Sequence, residues 1–338
     1  MVTGYEGFEV PTEKYHVITT ALVTNSGVRD IFIAEDRYAL LATGSGLDIV
    51  DLFAGEVVSS GIVSGTETLS VAAEFTTGAG NLYLGTTTSG IYTAYWRPLR
   101  TPGLDFSDQL HRTFTTTTTP SISDNRVNDL DVIALPYRLL ISTGSGVDFI
   151  TNDALSATRP LLSGSSSCYL TSTGGGYWAA TNSGVEVNYD LNPSSGTGVI
   201  GVDFEYNAAD SNPLLPSHVV TDIDVVEGST NLLNFSTTAG DFVVEELPGA
   251  EAASQTKSLY TQETVVSAVF SEGATFDTTG TKYVTTTGAV RVFGLVDNTL
   301  SGTHFQDISV AEKYTKENTR DQALLSGTNT LVRTTSVA

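Results

Sequence analysis

The 338 residues carry 38 acidic against 16 basic side chains, a formal charge of −22, and a field of that sign disfavours nucleic-acid phosphate and anionic membrane as partners. About 15% of the chain is Thr, only 16% is charged, and one Met and one Cys are present, so no intrachain disulfide can form. No stretch is apolar enough to insert in a bilayer, and no stretch shows sustained apolar spacing of 3 and 4, which makes all-β the expected fold class.

In chain order, MVTGYEGFEVPTEKY has neither a basic region nor an apolar run, so no secretory signal is expected and residues 1–13 read as an N-terminal arm. Residues 14–338 then read as one domain in which a phrase repeats. An aliphatic run leads into a Thr/Ser/Gly patch and then a second β-rich run, usually opened by Gly. The copies are LLATGSGLDIV (40–50), LYLGTTTSGIYTA (82–94), LLISTGSGVDFIT (139–151), YWAATNSGVEVNY (177–189), LLNFSTTAGDFVV (232–244) and KYVTTTGAVRVFG (282–294). ALLSGTNTLVRTT (323–335) is a degenerate seventh. Anchors at Gly46, Gly90, Gly146, Gly184, Gly240, Gly288 and Thr330 step by 44, 56, 38, 56, 48 and 42 residues. A period of about 40–50 is that of one four-stranded propeller blade. The expected architecture is a β-propeller of about seven antiparallel blades (six or eight if a degenerate copy is miscounted).

Within each blade, the two halves of the phrase are the second and third strands, and the patch between them is the hairpin turn. The glycines are structural on this reading. An inner strand should precede them: VRDIFIA (28–34), VNDLDVIA (127–134), VTDIDVV (220–226) and FQDISVA (305–311), with LSVAAEF (69–75), SSCYLTS (166–172) and VVSAVFS (265–271) in the same slot. The C-terminus runs out of chain before a fourth strand. YHVITTALV (15–23) is therefore expected to complete the last blade and close the ring, since a ring left open exposes unpaired edges.

Three inserts interrupt the repeat: 96–126, 191–218 and 312–321. The first gathers Trp96, Arg97, Arg100, His111 and Arg112 in an otherwise acidic chain, and loops on a rigid scaffold are where partners bind. Its Thr115–Thr119 run reads as an outer strand. The third, EKYTKENTRD, is densely charged and reads as a helical turn.

Asp30, Asp129, Asp222 and Asp307 recur on the inner strands, with Asp131 and Asp224 two residues further on. They could ring a channel and hold Ca²⁺, but the dense D-x-D-x-D-G spacing of a calcium loop is absent. The favoured reading is that each accepts backbone N–H groups of a neighbouring loop and locks blade to blade. Asp48 and Asp148 read as turn or outer-face residues, Cys168 as a buried thiol, and Tyr177 and Trp178 as core. No nucleophile elbow and no Cys/His metal spacing is present. No catalytic residue, metal or cofactor is expected.

The phrase, as in LYLGTTTSGIYTA and LLISTGSGVDFIT, resembles the repeat of two-component-regulator-type propellers, and the resemblance implies a ring that binds a ligand or partner. The aromatic those repeats carry before the G-T step is mostly missing here. The expected function is a non-enzymatic structural or adaptor disc that contacts other structural proteins or itself, in an oligomeric assembly. Its expected setting is a virion assembled in the host cytoplasm, as a phage tail, baseplate, nozzle or fibre-associated part; otherwise it is cytoplasmic, or extracellular without a signal peptide. The alternative is a propeller that binds or cleaves a polysaccharide.

Overall fold

The computed structural model describes residues 16–19, 28–34, 37–51, 54, 56–76, 79–95, 110–133, 137–151, 154–160, 164–171, 176–189, 198–199, 204–206, 219–228, 231–246, 253–260, 265–270, 281–286, 290–294, 308–309, 317–324 and 331–337. Among these, every regular element is a strand.

After β1 (His16–Thr19), the chain builds one sheet after another in sequence order. The first is β2 (Val28–Ala34), β3 (Tyr38–Thr43), β4 (Gly46–Asp51) and β5 (Glu56–Ile62). The second is β6 (Thr68–Thr76), β7 (Ala79–Thr86), β8 (Ile91–Tyr95) and β9 (Leu110–Phe114). The third comprises β10 (Val127–Ile133), β11 (Arg138–Thr143), β12 (Gly146–Thr151) and β13 (Ala154–Pro160). The fourth has β14 (Ser165–Leu170), β15 (Tyr177–Thr181) and β16 (Gly184–Asn188). The chain then leaves to lay β17 (Gly198–Val199) parallel on β13 and returns with β18 (Phe204–Tyr206). The fifth is β19 (Val220–Val226), β20 (Asn231–Thr237), β21 (Gly240–Glu246) and β22 (Ala253–Tyr260). The sixth is β23 (Val265–Phe270), β24 (Thr281–Thr286), β25 (Val290–Gly294) and β26 (Ile308–Ser309). Last come β27 (Glu317–Leu324) and β28 (Leu331–Val337), joined by β1.

The architecture is thus all-β, made of antiparallel sheets of which five have four strands. The hydrophobic clusters explain why they stack. Leu40, Leu47 and Ile49 pack on Val71, Leu82 and Leu84 between the first and second sheets. Tyr83 and Phe114 pack on Leu130 and Leu139 between the second and third. Phe149 meets Cys168 and Tyr177 between the third and fourth, and Trp178 and Tyr206 meet Leu233 and Phe235 between the fourth and fifth. Middle strands covered on both sides lose the apolar–polar alternation of a half-exposed sheet. β3, β4, β15 and β20 are accordingly buried at every position.

First strands also neighbour one another: β2 on β6, β6 on β10, β10 on β14, β14 on β19, β19 on β23, β23 on β27, and β27 on β2.

Four expectations need correction. Ile308–Ser309, from the stretch read as the seventh inner strand, pairs with β25 as the outer strand of the sixth sheet. The place beside β23 and β2 belongs to β27 instead, so residues 317–321 of the charged insert are extended where a helical turn was expected. β1 lies beside β28 in parallel, with His16 opposite Val332 and Thr19 opposite Thr335, whereas a fourth strand of an antiparallel blade would run the other way.

Finally, β9 ends at Phe114, and Thr115–Thr119 forms turns rather than an outer strand. The hydroxyls decide this by bonding the local backbone: Thr118 Oγ1 accepts the Thr115 N–H (2.8 Å) and lies 2.8 Å from Pro120 O.

Candidate functional site

The recurrent hairpin is built on one buried threonine. Thr43, Thr86, Thr143, Thr181 and Thr237 each donate through Oγ1 to the carbonyl of the glycine that opens the next strand, at 2.7–3.0 Å. Those glycines, Gly46, Gly90, Gly146, Gly184 and Gly240, all have positive φ. At Gly46 a Cβ would stand 2.2 Å from Ile62 O, and at Gly90 2.0 Å from Phe114 O, because the outer strand crosses directly over the turn. Gly288 lies outside the described residues.

Each first strand carries a register shift near its start. It falls between Val28 and Asp30, Thr68 and Ser70, Val127 and Asp129, Ser165 and Ser167, Val220 and Asp222, Val265 and Ser267, and Thr319 and Asp321. The inserted residue turns the strand, and the next residue occupies one equivalent place in all seven. Asp321 holds that place in the seventh; Asp307 lies outside the described residues.

Carboxylates at these places, and Asp131 two residues beyond one of them, bond the first strands of neighbouring sheets. Asp30 Oδ2 accepts the Val71 N–H (2.7 Å). Asp129 Oδ2 accepts the Cys168 N–H (2.9 Å) and the Ser167 hydroxyl (2.8 Å). Asp131 Oδ2 accepts the Leu170 N–H (2.7 Å). Asp222 Oδ1 lies 3.2 Å from Ser167 Oγ. The inserted residues add bonds of the opposite polarity, Asn128 Nδ2 to Ser165 O (2.6 Å) and Ser166 Oγ to Val220 O (2.7 Å).

Burial raises the Asp129 carboxyl to about 6 against the pull of its three donors. It raises Asp131 to about 7, helped by the charges of Asp129 and Glu227. Tyr169 stands beside Asp131, Asp224 and Glu227, and burial first, then those charges, push its phenol well up.

Two other carboxylates lie on third strands. Asp48 and Asp148, expected as turn or outer-face residues, are wholly buried. Asp48 accepts the Gly61 N–H (2.8 Å), and Asp148 Oδ2 accepts both the Ser123 N–H (2.6 Å) and its hydroxyl (2.9 Å). Each pins the segment that covers it, and sandwiched sheets leave no outer face at that position.

Between the fourth and fifth sheets, buried Glu246 receives the Tyr206 hydroxyl (2.5 Å). Burial raises its pKa, while the Tyr206 hydroxyl and the nearby polar groups of Tyr189, Asn231 and Trp178 oppose the rise. No residue pattern announced this node, because its members come from four strands and the residue that follows β16.

Chemically these groups act as acceptors or as protonated donors. Burial holds the Cys168 thiol up, as it does the phenols of Tyr83 and Tyr206, and protonated groups of this kind are poor nucleophiles. Among the described residues no group of three His, Cys, Asp or Glu is placed to hold a metal ion.

Trp96, Arg97 and Arg100 of the basic insert lie outside the described residues. His111 and Arg112 fall on β9, the outer strand of the second sheet, where the Arg112 guanidinium sits 4.5 Å above the Phe114 ring.

No family model matches the sequence, and no curated protein matches it. Among solved structures, the chain is similar to the crystal structure of Chaetomium thermophilum Raptor, with a TM-score of 0.60 and 14% identity over 91% of this chain and 27% of that one. The chain spans little more than a quarter of that protein's length, and at this identity the likeness speaks for the arrangement of the sheets alone.

Proposed function

We propose that the chain is a seven-bladed β-propeller, closed through its N-terminal strand, that works as a rigid non-enzymatic disc for protein–protein contact in a virion. The observation that carries this reading is the circuit of first strands together with what their carboxylates do. Asp30, Asp129 and Asp131 each hold a backbone amide of the next sheet, so the acids best placed for chemistry are engaged in fixing sheet to sheet. Such bonds resist shear between blades, and a stiff disc presents loops at fixed geometry. The acidic, Thr-rich, Cys-poor composition supports a particle component that stays soluble at high local concentration.

The contact surface on this reading is the basic insert 96–126, whose Arg112 edge stands out against a charge of −22. Light scattering on the purified full chain tests it. A discrete oligomer, unchanged by added polysaccharide and lost when Arg97, Arg100 and Arg112 are all replaced by Ser, is the expected result. A monomer that binds or shortens the polysaccharide would overturn the structural reading in favour of a glycan-directed one.

A further inference from the structure

The equivalent places on the seven first strands read Asp30, Ser70, Asp129, Ser167, Asp222, Ser267 and Asp321. The hydrogen bonds give the alternation a chemical meaning. Asp30 Oδ1 accepts the amide of its own successor Ile31 (2.8 Å), and Oδ2 accepts the amide of Val71, the successor of Ser70 (2.7 Å). Asp129 repeats the arrangement with Leu130 (2.8 Å) and Cys168, the successor of Ser167 (2.9 Å). One carboxylate therefore satisfies two equivalent amides, its own and that of a following sheet whose serine cannot.

From a Ser to the next Asp the tie is of another kind, made by hydroxyls such as Ser166 Oγ on Val220 O (2.7 Å) in place of a carboxylate on two amides. Ser167 has one proton to donate, and Asp129 at 2.8 Å is nearer than Asp222 at 3.2 Å, while the buried Ser70 hydroxyl has no partner.

Seven places cannot alternate all the way round. Asp321 is followed by Asp30 where β27 lies against β2. The amide that a clasp from Asp321 would need is that of Ile31, which Asp30 already holds. Resting on the ring reading above, we infer that the sheets are clasped as pairs, first to second, third to fourth and fifth to sixth, with a built-in seam between the seventh and the first. The ring opens at that seam.

Hydrogen exchange by mass spectrometry on the full chain, with melting of three variants, tests the inference independently of the oligomeric state. Peptides covering β27 and β2 should exchange at least about tenfold faster than those covering β10 and β14. Asp129→Ser should lower the melting temperature and speed exchange around Cys168, with Asp129→Asn, which keeps one acceptor, falling between it and the parent. Asp321→Ser should leave the melting temperature unchanged or raise it. The seam is refuted if Asp321→Ser destabilises as much as Asp129→Ser, or if β27 and β2 are protected as well as β10 and β14.

Discussion

At the scale of single residues, this protein satisfies buried polar backbone with side chains placed by the repeat. Asp48 is the plainest case: it is wholly buried and accepts the Gly61 N–H across to the outer strand. Asp48→Ala should cost about 1–3 kcal/mol, the usual penalty for stranding a buried amide, read as a shift in the denaturation midpoint without a change in slope. Asp131 makes a pH prediction whose sign follows from its raised pKa. Its folded value is about 7 against 3.8 for the free carboxyl, so between those pH values the native state binds the extra proton. Stability is then greatest at the acid end of that window and falls as pH rises to about 7. Melting between pH 5 and 8 should show this decline, and Asp131→Asn, which still offers an oxygen to the Leu170 N–H, should flatten it by about 2 °C across the range. An unchanged slope in the variant would assign the decline to other groups.

Elements are joined by the same economy. Thr68, at the start of β6, donates to Gly46 O (2.8 Å), lies 3.1 Å from Thr43 O and accepts the Thr43 N–H (2.8 Å), tying the second sheet to the hairpin of the first. Thr68→Val keeps the shape and removes those partners, and should cost about 1–3 kcal/mol in urea unfolding; a neutral substitution would mean that water replaces the hydroxyl. The hairpins were legible in the sequence because Thr and Gly recur there for reasons local to the turn. The first six inner strands were legible because their aliphatic residues alternate. The sixth sheet's outer strand and the seventh inner strand were not. FQDIS carries the Asp and the aliphatics of VRDIF, whereas NTRDQAL keeps only the Arg-Asp pair, so apolar pattern favoured the wrong segment. The register shift between Thr319 and Asp321 identifies the strand, and such a shift appears only once the partner strand is known. Burial of Asp48 and Asp148 escaped notice for a related reason: facing sheets cover both sides of a strand, and one strand's alternation cannot report a neighbour.

For the molecule as a whole, charge works against compactness. A net −22 is spread over the 338 residues, and two ion pairs, Arg29 with Glu67 (2.6 Å) and Arg37 with Asp51 (2.5 Å), involve partly exposed arginines that add little stability. The inner strands bring further carboxylates side by side, Asp129 and Asp131 among them, whose mutual repulsion contributes to the raised pKa of Asp131. Self-repulsion of this kind is long-range, so salt should relieve it before it touches the short clasps. Raising NaCl from 0.02 to 0.5 M shortens the screening length from about 20 Å to about 4 Å. The melting temperature should therefore rise by a few degrees, and most of the rise should come below 0.2 M. A melting temperature that falls with salt would show that attraction between opposite charges dominates, and that the acidic surface is neutralised within the fold. A rise would mean that the free chain carries an unrelieved field, and a partner of opposite sign would stabilise it most at low salt.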